Sequence, residues 1–295
     1  MQNDEMPQYL SDEALGHEHH LDQFRWMLTG NPANDDYFRA EAAEMHARVV
    51  IDGVQDLRAR AIEEGSNWGG DLHAHLVYGV GRRAGDIWIA MRELVAICPV
   101  SRKAPLSSEQ TARASMALNT IYINIRGILD NFAWAVIEQA GGLAAGNLSH
   151  SHVDLFGHRF SRVKAYGDLP HKLSAVAAWS VEVKERRNPA AHRIPLAVIP
   201  ALLNEEQAAE ARHLTAQMFA PLRSGGLTAS DHEKLMEQHE ALKAKIEGLG
   251  TYRPLFVHMP SEGTMPLYPT VAEDVGQMVR AGRVVLGHLG AKAQK

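Results

Sequence analysis

Apolar side chains recur at helical spacing along most of this chain. In segment 35–64 they return every three or four residues, which predicts one long amphipathic helix; the apolar positions are Phe38, Met45, Val49, Val50, Val54 and Leu57. A second helical region covers 71–98 and ends before Pro99. Its first half carries Gly79, Gly81 and Gly85, and glycines inside a helix weaken the prediction there.

The clearest helix begins at Ser107 and runs to the Gly141-Gly142 pair. Ser107 and Gln110 have the spacing of a capping box, which marks a helix start. One apolar stripe follows, made of Leu118, Ile121, Ile125, Leu129, Phe132 and Val136. A neighbouring stripe is polar and contains Asn119, Arg126 and Asp130.

Further helices are predicted over 172–187, 204–219, 230–247 and 270–289. The second and third form a charged hairpin around a turn at 223–228. Leu255-Phe256-Val257 is a short apolar run, either a single strand or an extended pass over the core. The pattern predicts an all-α protein, with an N-terminal helical region over 1–70 and a helical domain over 71–295 that contains the hairpin at about 204–248.

Composition and charge exclude several classes of protein. The chain has 295 residues, a formal net charge of -5 and a single cysteine, so it is not a broadly basic nucleic-acid coat and forms no internal disulfide. No signal peptide is apparent at the start, and no apolar stretch reaches the roughly 20 residues that span a bilayer. We therefore expect a cytoplasmic protein without a membrane partner.

The stretch from Arg187 to His192 concentrates the candidate chemistry. A histidine transfers protons near neutral pH, and an arginine holds a phosphoryl group with a planar fork of donors. RNA supplies its own nucleophile, the 2′-hydroxyl, so its cleavage needs only acid–base groups and positive donors. We therefore expect Arg187 and His192 to be catalytic, with Asn188 orienting the histidine or the phosphate, and no metal or cofactor.

Asn188-Pro189 predicts how this pair converges. Proline restricts the preceding residue to extended geometry, so the helix should end near Arg187. Asn188 would then cap a new short turn with Pro189 at its first position. One motif provides one histidine, so a two-sided acid–base reaction predicts two motifs meeting across a homodimer.

Local charge favours a polyanionic ligand near the motif. Segment 158–193 has a net charge of +5 within a chain of net charge -5; its basic residues are Arg159, Arg162, Lys164, Lys172, Lys184, Arg186, Arg187 and Arg193, against three acidic residues. A positive patch on an acidic protein suits RNA. Arg186 and Arg193, which flank the motif, are therefore expected to support the site.

The nine residues Arg187-Asn188-Pro189-Ala190-Ala191-His192-Arg193-Ile194-Pro195 resemble the signature of the HEPN superfamily of helical domains. The segment from Ile128 to Trp134 also resembles bacterial proteins of that kind. The resemblance covers 107–194 and extends more loosely to Leu289. It implies an α-helical bundle, often a homodimer with the motif at its cleft. It also implies a metal-independent endoribonuclease, frequently in toxin–antitoxin or antiviral systems, with RNA and an antitoxin as partners.

By the family pattern, Arg187 and His192 would be the catalytic residues and Asn188 the polar accessory. Some members of the superfamily only bind or scaffold. The alternative function is therefore a non-catalytic interaction or nucleotide-binding protein. Residues 1–70 and the hairpin match nothing in the family pattern.

Asp130 and Asn131 are polar residues within an apolar helix and need partners. They could orient Arg187 or the histidine from the neighbouring helix. Alternatively, Arg126 and Asp130 form an ordinary ion pair at i, i+4 spacing.

Two further patterns bear on function. His73 and His75 would share one face of a strand and could bind zinc, which gives a third hypothesis, a metal-dependent hydrolase. That hypothesis needs strands, which this chain almost lacks. Four of the five tryptophans are expected in the core or an interface; they are Trp68, Trp88, Trp134 and Trp179.

Overall fold

A computed structural model describes residues 36–192, 194–221, 229–258 and 263–293, with side chains described except at 36–46, 189–192, 229–232 and 293. Within these ranges the chain is mostly helical, which confirms the all-α prediction. The first helix, α1, covers Asp36–Ser66. Val50, Val54 and Leu57 are fully buried on its inner face, as their spacing predicted.

The next helical region is continuous from α2 (Gly70–His73) through a π-helix (Ala74–Val80) into α3 (Gly81–Ile97). Two of the three glycines that weakened this prediction have a packing reason. A Cβ at Gly79 would overlap the side chain of Asn131, and a Cβ at Gly81 would lie 3.2 Å from Ile62. Glycine therefore permits close approach of neighbouring helices here.

Helix α4 covers Ser108–Gln139 and has the predicted capping box. The Ser107 side chain accepts a hydrogen bond from the Gln110 backbone, and the Gln110 side chain accepts one from the Ser107 backbone. All six residues of the predicted apolar stripe are fully buried. On the polar stripe, the amide of Asn119 donates to the Leu196 carbonyl at 2.8 Å and accepts from its N–H at 3.0 Å.

The helix predicted over 172–187 is built differently. It comprises α5 (Leu169–Leu173), a 3-10 turn (Ser174–Val176) and α6 (Ala177–His192). The predicted break at Asn188-Pro189 is wrong, because α6 continues through Pro189 for a further turn. A proline near a helix end costs one backbone hydrogen bond and leaves only a short segment to distort, so tertiary packing can override the local preference.

Three short strands form a small antiparallel sheet in the order β1-β2-β3. They are β1 (Ala197–Val198), β2 (Leu255–Val257) and β3 (Thr264–Pro266). The run at 255–257 is therefore a strand, and it has two partners that the sequence did not reveal. The N–H of Val198 donates to the Ser115 hydroxyl at 3.0 Å, which attaches the sheet to α4.

The predicted hairpin is present as α7 (Glu205–Phe219) and α8 (Ala229–Glu247), which pack against each other. Its predicted turn at 223–228 lies outside the described residues. Most hairpin side chains are exposed. Glu247 links α8 to the start of α4 by accepting hydrogen bonds from the backbone and hydroxyl of Ser108.

The last helix, α9, covers Leu267–Ala293, and the apolar side chains that recur along it at helical spacing are buried; they are Val271, Val275, Met278, Val279 and Val285. Helices α1, α3, α4 and α9 pack around one hydrophobic core. Residues 47–66 share this core with the segment predicted as a separate domain; the rest of the N-terminal region, up to 35, lies outside the described residues. None of the described helices is long and apolar enough to cross a membrane.

Gly79→Ala tests the close approach of the π-helix to α4. The new methyl group overlaps Asn131, so we expect the free energy of unfolding to fall by about 1–3 kcal/mol in urea denaturation followed by circular dichroism. Gly85→Ala is the matched control. Its methyl group would meet only Arg58 at 3.6 Å, so stability should rise by up to about 1 kcal/mol. Equal effects of the two substitutions would contradict this account.

Candidate functional site

A cleft of about 340 Å³ lies between α4 and α6. Its walls comprise three residues of α4, three of α6, and the 3-10 turn His150–His152 with the residue after it; the lining residues are Arg126, Asp130, Trp134, His150, Val153, Lys184, Arg187 and Asn188. The structure thus brings together Arg187, Asn188 and Asp130 from the predicted site. The side chain of His192 and all of Arg193 lie outside the described residues.

Helical periodicity explains how the walls form. Arg126, Asp130 and Trp134 are four residues apart, so they share one face of α4. Lys184, Arg187 and Asn188 share one face of α6 by the same rule. Three of the eight lining residues are cationic and one is anionic, and Asp154 pairs with one of the cations from outside the lining, so the cleft keeps a net charge of about +1 that favours an anion.

Arg126 is the most buried cation in the cleft, with 12% of its side chain exposed. Its guanidinium pairs with Asp130 at 3.0 Å and with Asp154 at 3.2 Å. The ion pair at i, i+4 spacing that the sequence offered as the ordinary explanation of Asp130 is therefore present. Asp154, which comes from the loop after α4, was not anticipated.

Asp130 also lies within the electrostatic field of Arg187. Burial raises the pKa of the Asp130 carboxyl, the charge of Arg126 opposes that rise, and Asp154 adds to it. Arg187 also lowers the pKa of Asp130. The two interpretations of Asp130 are thus compatible, because one carboxylate pairs within α4 and also faces the arginine of α6.

Arg187 is half-buried, and its Nη1 lies 3.4 Å from the Asn188 side-chain oxygen. Asn188 is exposed and belongs to the helix, so it does not cap a new turn as predicted. Five residues of α-helix turn through about 500°, so the positions of Arg187 and His192 are about 140° apart around the axis of α6, with a rise of about 7.5 Å. The expected convergence by a helix break is therefore wrong for this chain.

Arg186 faces a different environment from its neighbour. Its Nη1 donates to both oxygens of the Asp274 carboxylate, at 2.8 and 3.0 Å, and its Nη2 donates to Glu182 at 3.0 Å. Asp274 is fully buried and also accepts from the Tyr122 hydroxyl at 2.7 Å and the Trp179 indole at 2.9 Å. Arg186 thus joins α6 to α9, and part of the positive charge counted from the sequence is neutralised.

Asn131 contacts the π-helix and not the motif helix α6. Its amide nitrogen donates to the Gly127 carbonyl at 2.7 Å, and its oxygen accepts from Nδ1 of His75 at 3.1 Å. The predicted partner was Arg187 or the motif histidine, whereas the observed partner is a histidine of the π-helix. Asn131 is not among the residues that line the cleft.

Sequence reasoning missed three lining residues, Trp134, His150 and Val153. Trp134 continues the spacing of Arg126 and Asp130, so extending that polar stripe by one turn would have found it. Its indole is only partly buried and contacts the rings of His75 and His150. His150 lies in a loop, where no periodic pattern signals its direction.

The alternative metal site is not assembled. His73 and His75 lie on consecutive helical segments instead of a strand, and Nδ1 of His73 donates to the Gly65 carbonyl at 2.9 Å. Across the described part of the chain, no group of three or more histidine, cysteine or acidic side chains is placed to hold a metal ion.

Comparison with protein-family models gives no match, and comparisons with curated proteins and with solved structures give none either.

Asp274→Ala tests whether the buried carboxylate fixes α6. The substitution leaves the mostly buried Arg186 without its main partner, so we expect a loss of about 3–5 kcal/mol in the free energy of unfolding. Glu182→Gln is the control, because it removes only the exposed partner of Arg186 and should cost less than about 1 kcal/mol. Urea titration of both variants checks this, and similar losses would contradict it.

The same carboxylate predicts a pH dependence of stability. Burial raises the pKa of Asp274 to about 6, although Arg186, Tyr122 and Trp179 oppose the rise. The folded state then binds this proton more tightly than the unfolded chain, so the contribution is full below about pH 4 and lost as pH rises through 6. The stability of the wild type relative to Asp274→Asn should fall between pH 4 and 6 in urea titrations. A rise over that range would show that pairing with Arg186 outweighs burial.

Proposed function

We propose that the cleft between α4 and α6 binds the phosphodiester backbone of RNA and that the protein is a metal-independent endoribonuclease of the HEPN type. One observation carries the proposal: Arg187 of the motif lies in a cleft with Lys184 and Arg126, beside Asn188. A planar arginine fork with a second cation suits a phosphate. Arg126 is paired with Asp130 and Asp154, so the positive charge of the walls comes from Lys184 and Arg187.

The reaction would use the 2′-hydroxyl of the substrate as nucleophile. A histidine accepts its proton, the 2′-oxygen attacks phosphorus, and the bond to the 5′-oxygen breaks as that oxygen is protonated. His192 would perform one of these proton transfers. Arg187 would stabilise the charge on the phosphorane, with Asn188 and Asp130 orienting its guanidinium.

A homodimer would bring a second motif to the same cleft. Because positions 187 and 192 are about 140° apart around α6, the arginine of one copy could work with the histidine of the other. The cellular role that fits this activity is toxin–antitoxin or antiviral defence, with an antitoxin as a further partner.

A second candidate is nucleotide or RNA binding without cleavage. The observation that favours it is the unbroken course of α6 through Pro189, which separates the two motif positions within one chain. A cleft of about 340 Å³ with three cations would still hold a phosphate group.

RNA cleavage in the presence of a chelator tests the proposal. Arg187→Ala should lower kcat by about 100- to 1,000-fold because a donor to the phosphorane is lost. His192→Ala should lower it by about 100- to 10,000-fold through loss of proton transfer. The measurement is single-turnover cleavage of labelled RNA, with folding verified by circular dichroism.

Arg253→Ala is the charge-matched control. Arg253 is exposed, lies outside the basic segment 158–193 and does not line the cleft, so this variant should cleave like the wild type. RNA binding without cleavage by the wild type would favour the binding protein. Activity that a chelator abolishes and His192→Ala retains would refute the proposed mechanism.

A further inference from the structure

We propose that His150 is a second acid–base residue of this site, supplied by the same chain as Arg187. The inference rests on the proposed ribonuclease function and extends it to a residue outside the Arg187–His192 motif. His150 lines the same cleft as Arg187 and Lys184, and its side chain is exposed where a bound phosphodiester would lie.

The 3-10 turn His150–His152 presents its two histidines differently. The ring of His152 has a structural role, because its Nδ1 accepts from the Ser149 backbone at 3.1 Å and lies 2.9 Å from the Ser149 hydroxyl. His150 is the histidine of this turn that lines the cleft. The turn therefore uses one imidazole to fix its own geometry and directs the other to the site.

The imidazole of His150 contacts Trp134, which in turn contacts His75. The His150 ring lies 5.3 Å from that of Trp134 at an interplanar angle of 55°. Trp134 is stacked on His75 at 5.8 Å and 7°, and His75 donates to Asn131. Asn131 is therefore connected to His150 through His75 and Trp134 and not through Arg187.

The cleft also gives His150 a suitable charge environment. Arg126, Lys184 and Arg187 line the walls around it, so a phosphate bound there would lie among cations with an imidazole at the edge. Asp130 is the lining carboxylate, and it is already paired with Arg126 at 3.0 Å. An anionic substrate would therefore meet His150 together with Arg187.

In the proposed reaction, two imidazoles each perform one proton transfer, so the protons balance. The two imidazoles are His150 of the chain that supplies Arg187 and, in the proposed homodimer, His192 of the other copy, because position 192 lies about 140° around α6 from position 187. One of them accepts the proton of the 2′-hydroxyl as the bond from the 2′-oxygen to phosphorus forms. The other donates a proton to the 5′-oxygen as its bond to phosphorus breaks, giving a 2′,3′-cyclic phosphate and a 5′-hydroxyl. Proton exchange with water then restores both imidazoles.

Single-turnover cleavage of RNA by His150→Ala tests the inference. We expect kcat to fall by at least about 100-fold with little change in RNA affinity, because a proton-transfer group is lost while the cations remain. His158→Ala is the matched control: this exposed histidine follows in the same loop and does not line the cleft, so its variant should cleave like the wild type.

A second measurement does not depend on cleavage. RNA in which every 2′-oxygen is methylated has no nucleophile, so it can bind without reacting. Adding it should shift the imidazole NMR signals of His150 and leave those of His158 unchanged.

The outcomes separate the two proposals. Wild-type cleavage with His150→Ala within about twofold of it, or unmoved His150 signals, would overturn the role of His150 and leave the ribonuclease proposal standing. Absence of cleavage by the wild type would overturn both, and the NMR shift would then show whether the cleft binds RNA. Loss of cleavage in His150→Ala with a shifted His150 signal would establish the role.

Discussion

The fully buried carboxylate of Asp274 fixes the helix that carries the motif. It accepts hydrogen bonds from the Tyr122 hydroxyl of α4, the Trp179 indole and the Arg186 guanidinium of α6. An ionised carboxylate is costly to bury without partners, so each of these donors is required once the chain has folded. The network therefore sets both the position of α6 along the core and its rotation about its own axis. With Arg186 directed to Asp274, the next residue, Arg187, enters the cleft on the other side.

The polar stripe of α4 provides the second constraint. Ser115 and Asn119 hold the backbone that follows α6, while Arg126 and Asp130 form a wall of the cleft. The polar side chains near the start of α4 thus bind the sheet, and those further along α4 form part of the site. The stripe is readable in the sequence. Its partners are not, because Leu196, Val198 and Asp154 reach it from distant parts of the chain.

Signals carried by several residues of one helix were more reliable than the preference of a single residue pair. The Ser107–Gln110 capping box and the apolar stripe of α4 involve residues within a few turns of each other, and both were confirmed. The helix break expected at Asn188-Pro189 failed because it was argued from local preference alone, and packing of α6 against the core overrides a preference of that size. Likewise, the glycines of the second helical region weakened the helix prediction. In the structure, the absence of a Cβ at Gly79 leaves room for the side chain of Asn131.

By itself, the sequence determined the helices, their buried faces and the presence of a candidate arginine–histidine motif, since these follow from periodicity and residue type. Only the tertiary structure decided which polar residues share a site. It separated Arg186 from Arg187, turned Asn131 toward His75, and brought Trp134 and His150 to the same cleft as Arg187. The physical reason is that burial and pairing of charged and polar groups depend on which helices pack together. The spacing of residues along the sequence does not show which helices pack together.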